Sequence, residues 1–258
     1  MVRKVSYTAV HYQHISIIRF VDTSDGYSVH CSKFFFIQLI LLYNNNMSNK
    51  ELIKTENLSF LDMIEYPDIF VNEGQTTFIN GKSGSGKSSL LKLFSALVTA
   101  SGGKIYFDGT DIDEIDAITL RRDLIYVPQD FYLFDGTIRE NFTEFYRFRE
   151  LDVIEDDLIR KYLDICMIDF DIDGDTVSMS GGERQRIFIA ICISFLPKVI
   201  MLDEPTSALD STNGYNMLLN IKKFCNENSM NLIVVSHDEK LSTDFAEQII
   251  TLKRREIL

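Results

Sequence analysis

The sequence predicts an α/β fold built on a mainly parallel sheet. Short apolar runs alternate with longer helical patterns from Leu52 onward, as strands buried on both faces of such a sheet require. A glycine-rich segment, Gly81-Lys82-Ser83-Gly84-Ser85-Gly86-Lys87-Ser88, stands between a strand pattern and a helical one. Another run, Val199-Ile200-Met201-Leu202-Asp203-Glu204, stays apolar until it ends in paired carboxylates.

Thr76 to Asn80, Leu124 to Val127, Val199 to Leu202 and Leu232 to Val235 are the strand candidates, each a short apolar run of the kind a buried strand needs. After the glycine segment, Leu90, Leu93, Phe94 and Leu97 repeat at i, i+3, i+4 and i+7, so the spacing predicts a helix that opens at the loop. From about Thr137 to Asp175 the pattern is helical, with Leu158, Tyr162, Leu163 and Cys166 on one face and an acidic Glu155-Asp156-Asp157 cluster. This stretch reads as a mostly helical insertion. Neither an internal repeat nor a sustained heptad run interrupts it.

The chain has 258 residues, enough for one large domain or two small ones, and its formal net charge is -12. That balance argues against a nucleic-acid surface, which gathers Lys and Arg. Cys31, Cys166, Cys192 and Cys225 form no CxxC pair, so neither a zinc site nor a redox motif is indicated, and scattered thiols suit a reducing compartment. The apolar run from Phe34 to Tyr43 falls well short of the roughly 20 residues a spanning helix needs.

Residues 1–46 differ from the rest. They carry three of the four histidines and no sustained period, and they end in an Asn triplet before Met47-Ser48-Asn49-Lys50, which reads like a natural start. The expectation is a poorly ordered leader, or a misassigned start, followed by a domain over 47–258. A short apolar segment packed on that domain is the alternative. His11 and His14 have helical metal-ligand spacing but no third ligand nearby, which makes them incidental.

The Gly81–Ser88 segment matches GxxxxGK[ST], followed by Ser89. Glycines allow backbone N–H groups to turn inward around phosphate oxygens, and the following helix adds its positive end. Lys87 then reaches the β and γ phosphates, with the Ser88 hydroxyl on Mg²⁺. Asp203 and Glu204 end their strand where open parallel sheets bind ligands. Asp203 suits a magnesium ligand and Glu204 a general base; a solvated strand end stopped by Pro205 is the plainer alternative. Ser180 followed three residues on by Glu183 has the form of a helix-capping box.

The phosphate loop, followed by Ser180-Gly181-Gly182-Glu183-Arg184-Gln185-Arg186, Asp203-Glu204-Pro205-Thr206-Ser207-Ala208-Leu209-Asp210 and Ser236-His237-Asp238, resembles the ATP-binding-cassette ATPases over roughly residues 52–252. The resemblance implies a phosphate-loop NTPase core of the RecA-like kind, an antiparallel β region before the loop, and a helical subdomain at about 137–195. It implies ATP and Mg²⁺ as cofactors. Gln129 is identified by position with the family glutamine that senses metal and water, and His237 with the histidine that contacts the γ phosphate. Ser180, Gly181 and Gly182 match the helix end that completes a nucleotide site on a second subunit, so a homodimer is implied. Ser207 and Asp210 match the loop that crosses the dimer interface.

The family's adenine-stacking aromatic has no clear counterpart. Phe60 is the nearest candidate, with Tyr66 competing. Met179 replaces a usual leucine at similar volume. Phe131-Tyr132-Leu133-Phe134-Asp135-Gly136-Thr137-Ile138-Arg139-Glu140-Asn141 is similar to the segment after the glutamine in compact bacterial exporter-type cassettes. The resemblance implies an ATP-hydrolysing subunit held at the cytoplasmic face of the cell membrane by separate permease subunits, without nucleic acid as a partner. A soluble cassette acting in cofactor or complex assembly is the alternative.

Overall fold

The computed structural model describes residues 6–12, 15–21, 28–31, 50–61 and 63–253. Contacts divide the chain into Met1–Lys50 and Glu51–Leu258. In the first unit, β1 (Ser6–Tyr12), β2 (Ile15–Val21) and β3 (Ser28–Cys31) form an antiparallel sheet in that order, with Tyr12 paired to Ile15 and Ile18 to Cys31. These strands fall inside the 1–46 leader, for which the sequence predicts no regular structure. Their β-branched and aromatic content favours a pleated backbone even where polar and apolar residues do not alternate. His14, the Phe34 to Tyr43 run and the Met47-Ser48-Asn49 segment lie outside the described residues.

The second unit opens with β4 (Glu51–Phe60), β5 (Ile64–Glu65) and β6 (Phe70–Asn72). Then β7 (Thr77–Gly81) runs through the glycine loop into α1 (Lys87–Phe94), followed by β8 (Gly102–Phe107), β9 (Thr110–Asp111), α2 (Ala117–Asp123) and β10 (Leu124–Val127). Three helices, α3 (Ile138–Phe148), α4 (Asp156–Ile165) and α5 (Gly181–Ser194), separate β10 from β11 (Val199–Asp203). After these come α6 (Ser211–Glu227), β12 (Asn231–Val235), α7 (Glu239–Phe245) and β13 (Gln248–Leu252).

The central sheet has the order β10-β11-β12-β7-β13 and every neighbouring pair is parallel. A second sheet, β5-β4-β8-β9 with β6 also on β4, is antiparallel. Alternation along the parallel strands sends successive side chains to opposite faces. Ile125, Val127, Ile200, Leu202, Leu232 and Val234 join one buried cluster with residues of α3 to α7. Leu124, Val199, Met201, Ile233 and Val235 join another with α1 and the antiparallel sheet. Both faces of the sheet are therefore covered, which is why its strands read as unbroken apolar runs.

Two helices end or face differently from the sequence pattern. The periodic face after the loop extends to Leu97, but α1 stops at Phe94: the Ser95 hydroxyl donates to Leu91 O at 3.1 Å, Ala96 is left-handed with φ 49°, and Leu97 is exposed. In α4 the buried side chains are Ile159, Tyr162 and Leu163, with Cys166 buried just past the helix, while Leu158 is exposed. Ile159 and Leu158 are adjacent, so a period read one residue early still lands on most of the right face. Arg139 at the start of α3 donates to Asp173 at 2.8 Å and also pairs with Asp156, joining α3 to α4 and to the segment that leads into α5.

Candidate functional site

Because β7, β10, β11 and β12 run parallel, their carboxyl ends share one edge. The glycine loop leaves β7 at that edge, Gln129 follows β10, Asp203 ends β11 with Glu204 next, and His237 follows β12. Residues far apart in sequence are thus gathered by topology at the crevice that open parallel sheets offer to ligands.

In the loop, Gly86 caps α1 in a left-handed conformation with φ 89° and ψ 14°. A side chain there would also approach the Tyr66 hydroxyl at 2.8 Å. Tyr66 is buried and donates to Gly86 O at 3.0 Å, so it anchors the loop from beneath. Lys87 is only 7% exposed, and its ammonium donates to Gly81 O at 2.9 Å and more weakly to Lys82 O at 3.4 Å. An ammonium has three donors, which leaves one for an anion. Lys82, Ser83, Gly84 and Ser88 are exposed, Ser89 is partly buried, and the buried Ser85 Oγ has no hydrogen-bond partner.

Most helices here carry a side-chain cap: Asp116 on α2, Thr137 on α3, Ser180 on α5, Asp210 on α6 and Asp238 on α7. α1 and α4 have none, but α4 has Asp156 and Asp157 in its first turn whereas α1 has no acidic residue there. The amide end of α1 is therefore left for an external anion. A phosphate chain fits it.

On β11, Asp203 is buried and accepts a hydrogen bond at Oδ2 from the Tyr126 phenol at 2.9 Å. Glu204 follows in a left-handed conformation with φ 51°. Its Oε1 lies 3.1 Å from His237 Nε2 yet has no directed hydrogen bond, and its Oε2 accepts from the His237 backbone at 3.4 Å. Burial pushes the Glu204 carboxyl above the ordinary carboxylate range, with His237 and then Lys87 drawing it back and Asp203 adding to the rise. A raised carboxyl with an unsatisfied oxygen can take a proton from water.

The exposed Ser88 hydroxyl and Gln129 amide join Asp203 as oxygen donors along the same edge. Among the described residues no cluster of three or more His, Cys, Asp or Glu could hold a metal by itself. Such a donor set fits Mg²⁺, which uses one or two carboxylates plus phosphate oxygens.

Ser180 forms a full capping box on α5: its hydroxyl accepts from Glu183 N at 3.3 Å and Glu183 Oε2 accepts from Ser180 N at 2.8 Å. Ser180 and Gly181 are exposed, and Gly182 lies against Ala208. Asp210 accepts from Thr212 and Asn213 N–H groups at 3.0 Å, and Ser207 Oγ donates to Glu204 O at 3.0 Å. Among the described residues no hydrogen bond or ion pair within the chain joins the Ser180 end to the phosphate loop. Phe60, half-buried, ends β4 opposite Ile64, beside the loop that Tyr66 anchors. The Tyr126 contact, the Tyr66 anchor and the Ala208 contact are absent from the sequence reading. None of the three carries a local signal, because each joins elements whose register the sequence does not give.

A glycine-bounded phosphate cradle, an acid pair and a histidine on one edge of a parallel sheet define a phosphate-loop nucleotide hydrolase. Residues 67–207 match the family described as ABC transporter, and the chain belongs to that family. The chain is similar to the probable iron export ATP-binding protein FetA of Escherichia coli (strain K12), at 31% identity over 80% of this chain and 92% of that protein. It is also similar in structure to cbiO1 from Clostridium perfringens, part of the ABC transporter complex cbiONQ, with TM-score 0.69, 25% identity, and 80% and 86% coverage. The dimeric ATP-binding cassette MJ0796, in a post-hydrolysis state bound to ADP and Pi, gives TM-score 0.69 at 27% identity, covering 79% of this chain and 97% of that one. The chain is an ABC-type ATPase that binds and hydrolyses ATP. No helix among the described residues is long and apolar enough to cross a membrane.

Proposed function

We propose that two copies of this chain close around two ATP molecules and drive transport through separate membrane-spanning partner subunits, at the inner face of the cell membrane. The observation that carries this reading is the exposed Ser180 helix end, which has no partner in its own phosphate loop although both elements face solvent. In the pair, Ser180, Gly181 and Gly182 of one copy meet the nucleotide held by Gly81 to Ser89 of the other. Phe60 takes the adenine, and Lys87 and His237 bind the γ phosphate. Glu204 removes the proton from the attacking water. Ser88, Gln129 and Asp203 would hold Mg²⁺, which when bound would neutralise charge on the phosphates. ATP drives closure only because it binds the closed pair better than the open monomer.

The permease docks beside Gln129. There Tyr132 and Phe148 are each 65% exposed and Phe134 packs against both, at 5.2 and 5.8 Å between ring centroids. Exposed aromatic rings in contact favour a partner surface over water.

Mixing variants tests the shared site. Lys87→Ala and Ser180→Arg are each inactive alone, but a mixed dimer has one intact site, made from the wild-type loop of one copy and the wild-type helix end of the other. Recovery of ATPase activity on mixing is expected, and a mixture as inactive as its components would overturn the two-chain site. Copurification with a membrane protein encoded beside this chain tests the transport role.

A further inference from the structure

The Tyr126 phenol supplies the only side-chain hydrogen bond to Asp203 among the described residues, at 2.9 Å to Oδ2. Strand register explains how it arrives there. Tyr126 pairs with Met201 across the parallel β10 and β11, and Asp203 lies two residues beyond Met201 on the same face. That face is the α1 side, where Leu124 and Met201 are buried and the Tyr126 ring is partly buried against them. The hydroxyl is therefore carried to the carboxylate by the sheet itself.

A phenol beside a carboxylate donates a hydrogen bond to it, and the 2.9 Å separation is that of such a bond. Rotation about a carboxylate's terminal bond is broad and roughly two-fold, so an Asp203 without this partner would face several orientations before meeting a cation. Groups that fix a metal-binding carboxylate in this way tune metal affinity without touching the metal.

We propose that Tyr126 is a positioning residue for Asp203: it occupies Oδ2 and leaves Oδ1 as the oxygen without a partner among the described residues. This rests on the reading of Asp203 as the magnesium carboxylate. The role is distinct from packing, because the ring fills its space with or without the hydroxyl.

Tyr126→Phe removes only that oxygen. The binding of a fluorescent ATP analogue is measured in EDTA and across a Mg²⁺ titration. The half-saturating Mg²⁺ concentration should rise about 10-fold or more, as expected for loss of an outer-shell partner, while affinity in EDTA stays at the wild-type value. An unchanged Mg²⁺ titration overturns the proposal, and so does an equal loss with and without metal, which would assign the phenol to the sheet. Asp203→Asn separates the two levels. If that variant leaves the Mg²⁺ titration intact, the reading of Asp203 fails; if it shifts the titration and Tyr126→Phe does not, only the role of Tyr126 fails.

Discussion

Gly182 rests directly on Ala208: a Cβ built at Gly182 would meet the Ala208 methyl carbon at 3.1 Å and its carbonyl oxygen at 3.3 Å. The contact joins the first turn of α5 to the loop between Glu204 and Asp210, whose Ser207 donates back to Glu204 O. The loop that follows the proposed base and the helix end proposed to meet a partner copy are thus in direct contact.

Gly182→Ala tests this contact. The added methyl needs Ala208 to give by a few tenths of an ångström; overpacking costs about 1–3 kcal/mol, against which removal of a helical glycine returns only about 0.5–1 kcal/mol. The denaturant midpoint should fall, and ATPase activity should fall with it at temperatures where the variant is folded. A variant with the wild-type midpoint and turnover would mean that the loop yields freely.

Glu204→Gln keeps the shape of the side chain and removes the base. Phosphate release should drop about 100- to 10,000-fold, the range for loss of a general base, while ATP binding persists. The variant should elute as a dimer in ATP and as a monomer in ADP. Turnover at the wild-type rate would remove Glu204 from the role.

The pH dependence follows from the same residue. Burial raises the Glu204 carboxyl in the folded state, so between its unfolded and folded values the folded chain holds more protons. The stability contributed is full below the ordinary carboxylate value and is lost as pH rises through the raised one. Activity runs the opposite way, because the base works ionised: kcat should climb with pH along a limb displaced above the ordinary carboxylate range. Denaturant midpoints against pH should flatten over that window in Glu204→Gln. A limb at the ordinary carboxylate value would rule out burial as its cause.

Removal of residues 1–46 should leave ATPase turnover unchanged, since Glu51–Leu258 forms its own unit and every proposed site residue lies within it. Purified truncated chain that no longer hydrolyses ATP would assign the leader a part in folding or in the site.

Much of the sheet was legible because strands covered on both faces must be apolar throughout, and Val199 to Leu202 or Leu232 to Val235 leave little else to read. The loop, the acid pair and the capping box were legible for a related reason: each is a local solution whose residues are adjacent in sequence. Contacts made across elements were not. Tyr66 reaches Gly86 and Tyr126 reaches Asp203 only once strand order is known, and no local pattern distinguishes a phenol that anchors a loop from one that stacks on a base. The strands β1 to β3 escaped for another reason, since their β-branched content is a weaker signal than alternation.

α1 begins without a side chain or an acidic residue to close its first amides. A bound triphosphate would finish that turn, which makes the fuel a piece of the scaffold as well as its reactant. Ligands that bind only the native chain raise its stability with the logarithm of their concentration. A cell short of ATP would therefore hold a less stable protein, so that energy supply would bear on how long this machine lasts as well as on its speed.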